Sequence, residues 1–68
     1  GALLSVNTDP WSNVFVDGRM VRATPLLRHR VTAGRHRVVV RNPGLGLERA
    51  MTVELAPGEH RRITFDLR

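Results

Sequence analysis

Apolar and polar residues alternate with a period of two along most of this chain, and clusters of Gly, Pro, Asp and Asn break the alternation roughly every eight to twelve residues. A period of two puts every second side chain on one face of a strand, so each stretch predicts a strand with one buried face. Recurrence at three and four positions is missing, and no helix is expected. Leu4 and Val6 alternate with Ser5 and Asn7 until Asp9-Pro10; Val14 and Val16 flank Phe15 before Asp17-Gly18, a tight-hairpin dipeptide. A short segment from Arg19 to Val21 ends before Thr24-Pro25, where proline withholds a ladder donor. Leu26 to Val31, His36 to Asn42, Arg49 to Leu55 and Arg61 to Leu67 complete the set, separated by Thr32-Ala33-Gly34-Arg35, Pro43-Gly44-Leu45-Gly46 and Ala56-Pro57-Gly58-Glu59. The pattern predicts an all-β, antiparallel-dominated sandwich of about seven short strands.

Pairing consecutive runs as hairpins gives a trial register. Val31 opposite His36 sets His29 against Val38 and turns Leu27, His29, Val31, His36, Val38 and Val40 inward. It also sets Arg30 against Arg37 on the outer side, together with Arg28 and Arg41. Leu55 opposite Arg61 matches Val53 with Ile63 and Met51 with Phe65 on the inner face, and Glu54 with Arg62 and Thr52 with Thr64 on the outer one. Opposite charges and threonine pairs across strands contribute about 0.2–1 kcal/mol each.

A length of 68 residues makes this a single domain, residues 1–68, able to bury only about 60% of its unfolded surface. Without cysteine it has no disulfide or thiolate metal site, and its stability rests on apolar packing and strand pairing. Disulfide-free chains suit any compartment, so localisation stays open, with a lean toward the periplasm or cell surface over the cytoplasm. No run approaches the roughly 18 apolar residues of a membrane-spanning helix, so this segment is not expected to insert in a membrane. Strand-like runs at both ends, Ala2 to Val6 and Ile63 to Leu67, suggest a domain cut from a longer protein. Eleven arginines, no lysine and six acids give a net charge of +5. That balance raises nucleic acid, anionic glycans and acidic lipid as partners, although a GC-rich genome also favours arginine codons.

The runs Leu4-Ser5-Val6-Asn7-Thr8-Asp9-Pro10, Val14-Phe15-Val16-Asp17-Gly18, Thr24-Pro25-Leu26, Ala33-Gly34-Arg35-His36-Arg37-Val38 and Pro57-Gly58 resemble a PEGA domain across essentially the whole chain. The eponymous tetrapeptide is replaced by Pro10-Trp11-Ser12-Asn13 in a loop one residue shorter. The resemblance implies a small transthyretin-like or immunoglobulin-like sandwich without enzymatic activity. Such domains occur in bacterial and archaeal surface proteins and beside bacterial serine/threonine kinases. The Arg-rich, Lys-free sequence is similar to the kinase-appended type.

Catalysis needs a nucleophile with a base or two carboxylates across a cleft, and neither pattern is present. Asp9, Asp17 and Asp66 fall at turns or on an outward face, Glu48 in a loop, Glu54 and Glu59 in the last hairpin. Asp17 before Gly18 suits a type I′ turn, its carboxylate bonding its own backbone. His29, His36 and His60 lack a third ligand in register, so neither metal nor cofactor is expected; His36 caps or hydrogen-bonds near its turn and His60 is solvated. Pro10, Asp17, Gly18, Thr24, Pro25, Gly34, His36, Pro57 and Gly58 form the structural turn set. Candidate contacts are Trp11, Phe15, Arg28, Arg30, Arg37 and Arg41. Like charges facing each other destabilise a sheet, so the arginine face implies neutralisation by Glu48 or Asp66, solvated stems over the sheet, or an anionic partner. With only Trp11, Phe15 and Phe65 to stack on, nucleic acid is disfavoured. Phe65 is expected in the core; Phe15 either covers the second sheet face or marks a contact patch with Met20; Trp11 either stacks on a sugar or a partner surface or, the preferred reading, folds over the sandwich end as a plug. Leu45 and Leu47 sit in a loop within reach of a neighbouring module, with Leu47 expected to start a strand and be buried.

These features lead to a non-catalytic interaction module of a larger bacterial protein, such as a kinase, meeting a protein or cell-envelope polymer. Two alternatives stand beside it. One is a spacer that assembles through edge strands, which Pro10, Pro25 and Pro43 partly blunt; the other is a binder of anions or acidic glycans through Arg28, Arg30, Arg37 and Arg41.

Overall fold

Each alternating run forms a strand in the computed structural model, which describes residues 1–68. The strands are β1 (Ala2–Asp9), β2 (Asn13–Val16), β3 (Arg19–Ala23), β4 (Leu26–Val31), β5 (Gly34–Asn42), β6 (Leu47–Leu55) and β7 (His60–Asp66), with no helix among them. They build two sheets, ordered β4-β1-β7 and β3-β2-β5-β6. Every pairing is antiparallel except β1 with β7, which is parallel. Four of the connections cross from one sheet to the other, leaving true hairpins only at β2–β3 and β5–β6. No helix is long and apolar enough to cross a membrane.

The inward side chains meet between the sheets in a cluster of twelve. Alternation supplies it strand by strand: Ala2, Leu4 and Val6 from β1, Val14 and Val16 from β2, Val38 and Val40 from β5, Val53 and Leu55 from β6. Leu26, Ile63 and Leu67 complete it, with Val21, Val31, Leu47 and Phe65 packed against its rim. Phe65 and Leu47 thus reach the core only in part.

The β2–β3 hairpin follows the sequence closely. Val16 pairs with Arg19 across Asp17 (φ 52°) and Gly18 (φ 84°). Positive φ at both central residues is the type I′ geometry, whose twist matches that of the flanking strands and which Gly adopts without steric cost.

Two expected hairpins do not form. β4 lies against β1, with Ala2 opposite Val31 and Leu4 opposite His29, while β5 lies between β2 and β6. Val31 therefore does not pair with His36, nor His29 with Val38, nor Arg30 with Arg37. In the same way Glu54 faces Arg35 and Thr52 faces Arg37, whereas Arg62 and Thr64 face Ser5 and Asn7 of β1. The reason is physical. A turn between two strands that both face the core is compatible with pairing in one sheet or with arching across the core, and a period of two does not separate the cases. The backbone around Pro57-Gly58 shows the choice: the Gly58 N–H donates to the Gly1 carbonyl (2.7 Å) and the Leu3 N–H to the Glu59 carbonyl (2.8 Å), which delivers the chain to β1 rather than back along β6.

Leu27 is also corrected, pointing outward and 69% exposed. Val6 pairs with Leu26 and Leu4 with His29, so Leu27 and Arg28 together oppose the single residue Ser5. This β-bulge flips the alternation, leaving Leu26 inward before it and His29 and Val31 inward after it. Met51 is corrected too. It faces the side of its buried partner Val38 yet is 40% exposed, because a three-stranded sheet cannot cover all of a four-stranded one.

Candidate binding groove

The four arginines expected on one face are divided between the two sheets. Arg37 and Arg41 lie on β5; Arg28 and Arg30 lie on β4.

On the outer face of the four-stranded sheet, Met20, Phe15, Val39 and Ala50 register as neighbours from β3 to β6. Phe15 and Met20 thus lie side by side on this face, in the arrangement of one of the two readings open for Phe15. Arg41 sits over the Phe15 ring, 5.0 Å from its centroid, and its Nε donates to Glu48 at 2.7 Å. Arg35 pairs with Glu54 at 3.5 Å. Glu48 thus neutralises Arg41 as anticipated, and this face carries little free charge beyond Arg37.

Asp17 does more than its turn role, because its side chain reaches across to β5 instead of bonding its own backbone. His36 Nδ1 donates to Asp17 Oδ2 at 2.6 Å, and the Arg37 N–H donates to Oδ1 at 2.9 Å. The other ring nitrogen, Nε2, donates to the Thr32 carbonyl at 2.7 Å. With acceptors at both nitrogens the ring is held as an imidazolium, although His36 is only 8% exposed. The Asp17 hydrogen bond, then the Thr32 carbonyl, raise the His36 pKa above its ordinary 6.5. In return the bonds from His36 and Arg37 hold Asp17 below 3.8.

The outer face of the three-stranded sheet is different. Thr24-Pro25 delays β4 until Leu26, while β1 runs on to Asp9, so beyond Val6 the floor of β1 is open between the start of β4 and β7. The resulting groove, of about 430 Å³, is lined by Ser5, Asn7, Leu27, Arg28, His60 and Arg62, with Thr64 at its end. The parallel ladder assembles it, since Arg62 registers with Ser5, Thr64 with Asn7, and His60 one step earlier with Leu3.

Arg28 adopts φ 52°, a left-handed conformation that costs a residue with a Cβ about 1–2 kcal/mol. Its N–H donates to Ser5 Oγ at 2.9 Å, so the hydroxyl satisfies the amide that the bulge frees. Ser5 Oγ lies 2.8 Å from His60 Nε2. His60 is half-buried rather than solvated as expected, and burial first, then the Arg62 and Arg28 guanidiniums, push its pKa below 6.5. The Ser5 hydroxyl is placed to donate a hydrogen bond to Nε2 of the neutral ring in the tautomer that carries its hydrogen on Nδ1.

A hydroxyl within hydrogen-bonding distance of an imidazole is the spacing of a nucleophile and its base. Here one Ser5 lone pair is already engaged by Arg28 N–H, and no carboxylate lines the groove to orient the imidazole. What remains is a set of donors: two guanidiniums, an imidazole and the Asn7 amide. The ion pairs of the molecule engage Arg35, His36, Arg41, Arg61 and Arg68; of the seven arginines without an acid, Arg28, Arg30 and Arg62 lie on this sheet and Arg19, Arg22, Arg37 and Arg49 on the other. Asp9 and Asp66, paired at the far end of β1 and β7, are both held by Arg68. The groove thus presents positive charge and hydrogen-bond donors, the complement of an anion.

Trp11 is 53% exposed, so the plug expected over the sandwich end is not formed by its ring. Its loop is pinned by polar groups instead. Asn42, buried, donates through Nδ2 to the Trp11 carbonyl at 2.8 Å and accepts the Leu45 N–H at 2.9 Å. The Thr24 hydroxyl accepts the Ser12 N–H at 3.0 Å and meets the Thr8 hydroxyl at 2.8 Å. His36 lies in one sheet and His29 and His60 in the other, and no three His, Asp or Glu side chains cluster as a metal site would need.

Sequence reasoning missed Ser5, His60 and Arg62 as site residues. The polar alternation Ser5-x-Asn7 and His60-x-Arg62-x-Thr64 was the available signal, but only a parallel pairing between the two ends of the chain joins them. Compared with known families, residues 2–68 match the family model described as PEGA domain. Neither a curated protein nor a solved structure matches the chain.

Proposed function

Since the chain belongs to the PEGA domain family of small accessory domains, generally non-catalytic, we propose that it is an interaction module of a larger bacterial protein that engages an anionic partner through the β4-β1-β7 groove. The observation that supports this reading is the groove itself: an open shelf with two guanidiniums that no acid neutralises and no carboxylate in its lining. The Lys-free, Arg-rich sequence with Asn42-Pro43-Gly44-Leu45-Gly46-Leu47-Glu48-Arg49 resembles the kinase-appended type from GC-rich bacteria, and on that resemblance the parent is taken to be a serine/threonine kinase. Binding to either of two immobilised polyanions, poly-glutamate and heparin, tests the reading. Saturable binding that weakens with added salt, and is lost in the Arg28→Glu/Arg62→Glu pair but kept in Arg37→Glu, is expected. Equal loss in all variants, or no binding, contradicts it.

A second reading, assembly through an edge strand, is favoured by β6: nine residues at the edge of its sheet, without proline and in unbroken register with β5. Sedimentation that shows a monomer at millimolar concentration counts against it.

A further inference from the structure

The groove carries more information than its charge. Leu27 projects from the bulge at 69% exposure, next to Pro25, so one wall is aliphatic while Arg28 and Arg62 form the basic part. No Trp or Phe ring reaches it, since Trp11 lies in the β1–β2 loop, Phe15 on the outer face of the other sheet and Phe65 against the core; the His60 imidazole is the one ring in its lining. A nucleobase or a sugar ring therefore finds only the small His60 ring and the guanidinium planes there, without the large aromatic platforms of a nucleic-acid or sugar binder. The donors follow strand geometry, with Ser5 and Asn7 on β1 and His60, Arg62 and Thr64 on β7 each two residues apart, a step of about 6.6–6.8 Å. Alternate side chains of an extended peptide repeat at that distance.

Arg28 adds a second, independent observation. Left-handed bulge positions ordinarily fall to Gly or Asn, yet an arginine occupies this one, and the Ser5 hydroxyl holds it in place. Strain of this kind points from geometry to use. Its effect is to turn both Leu27 and Arg28 to the groove side.

We propose that the groove binds an extended acidic peptide segment, with a carboxylate or phosphate held between Arg28 and Arg62 and a neighbouring aliphatic side chain against Leu27. The inference rests on the interaction-module reading and names the partner class for that same site. His60 N–H and the Asn7 amide supply further donors along the peptide, while Ser5 positions Arg28 rather than touching the ligand.

The test is an amide-resolved NMR titration of the whole 68-residue chain with three probes: a blocked Asp-Leu-Asp-Leu-Asp peptide, its phosphoserine-for-aspartate counterpart, and a heparin hexasaccharide. Saturable shifts at Ser5, Asn7, Arg62 and Thr64 are expected with one or both peptides, the tighter one identifying the anion. Arg62→Gln should weaken that binding about tenfold. Leu27→Ser should weaken it for the peptide above but not for one with serine in place of leucine. Arg28→Gly provides the control for folding, because it relieves the left-handed strain: an equal or higher Tm together with lost binding is expected. If heparin saturates the groove and neither peptide does, the peptide inference falls and the interaction module stands. If no probe shifts the groove residues, both fall.

Discussion

Arg28 and His36 each hold an unfavourable state that a neighbour's oxygen stabilises, and each yields a measurable consequence. Arg28→Gly removes a conformational cost of about 1–2 kcal/mol but also loosens the unfolded chain, so urea unfolding should show stability unchanged or raised by about 1 kcal/mol. A loss of similar size would mean that the guanidinium itself supports the fold. For His36, a pKa raised in the folded state stabilises fully below 6.5 and is lost as pH rises through the folded value. For Asp17, a lowered pKa stabilises above 3.8 and is lost as pH falls through its folded value. His60 runs the other way from His36: lowered in the folded state, it costs stability as pH drops below 6.5. The comparison that isolates the pair is with Asp17→Asn. The stability gap between wild type and this variant should be widest between 3.8 and 6.5 and narrow on both sides. In NMR pH titrations of the imidazole signals His36 should titrate above 6.5 and His60 below it, with Asp17→Asn moving only His36.

The elements show which parts of the structure local sequence can carry. Strand positions and the Asp17-Gly18 hairpin were legible because alternation and positive-φ preference act over a few residues. The arches at Thr32-Ala33 and Pro57-Gly58 were recognised as breaks, but not as crossings between sheets, since an inward-facing strand looks the same on either side of the core. The groove was less legible still. Arg28 was picked out for its charge, while Arg62 was assigned to Glu54 and Leu27 to the core, because a one-residue bulge and a ladder between residues 3–9 and 60–66 decide both. Polar clamps in loops were equally hidden. Asn42 joins the Trp11 loop to the β5–β6 turn, so Asn42→Ala strips a buried partner from a carbonyl and an amide and should cost about 1–3 kcal/mol by urea unfolding. An effect under half of that would show that water replaces the side chain.

At the scale of the molecule, twelve buried apolar residues have to stabilise the fold without a disulfide, for a net stability of about 3–10 kcal/mol. Leu4, fully buried on the central strand of its sheet, is worth about 2–5 kcal/mol against alanine, so Leu4→Ala should leave a large unfolded fraction by circular dichroism at 37 °C. Charge is distributed with equal economy. Acids are matched to Arg35 and Arg41 on the outer four-stranded face and to Arg68 at the far end of β1 and β7, while Arg28, Arg30 and Arg62 stand unmatched together on the outer side of β4-β1-β7, and Arg19, Arg22, Arg37 and Arg49 are spread over three strands of the other sheet. The same arch that separates Arg30 from Arg37 is what concentrates Arg28, Arg30 and Arg62 over one sheet. The most direct test is to map amide shifts across the whole chain during titration with poly-glutamate at low salt. Saturable shifts centred on Ser5, Asn7, Arg28 and Arg62, with Phe15, Val39 and Ala50 unmoved, are the predicted result; shifts centred on Arg37 and the Phe15 face, or none that saturate, would contradict it.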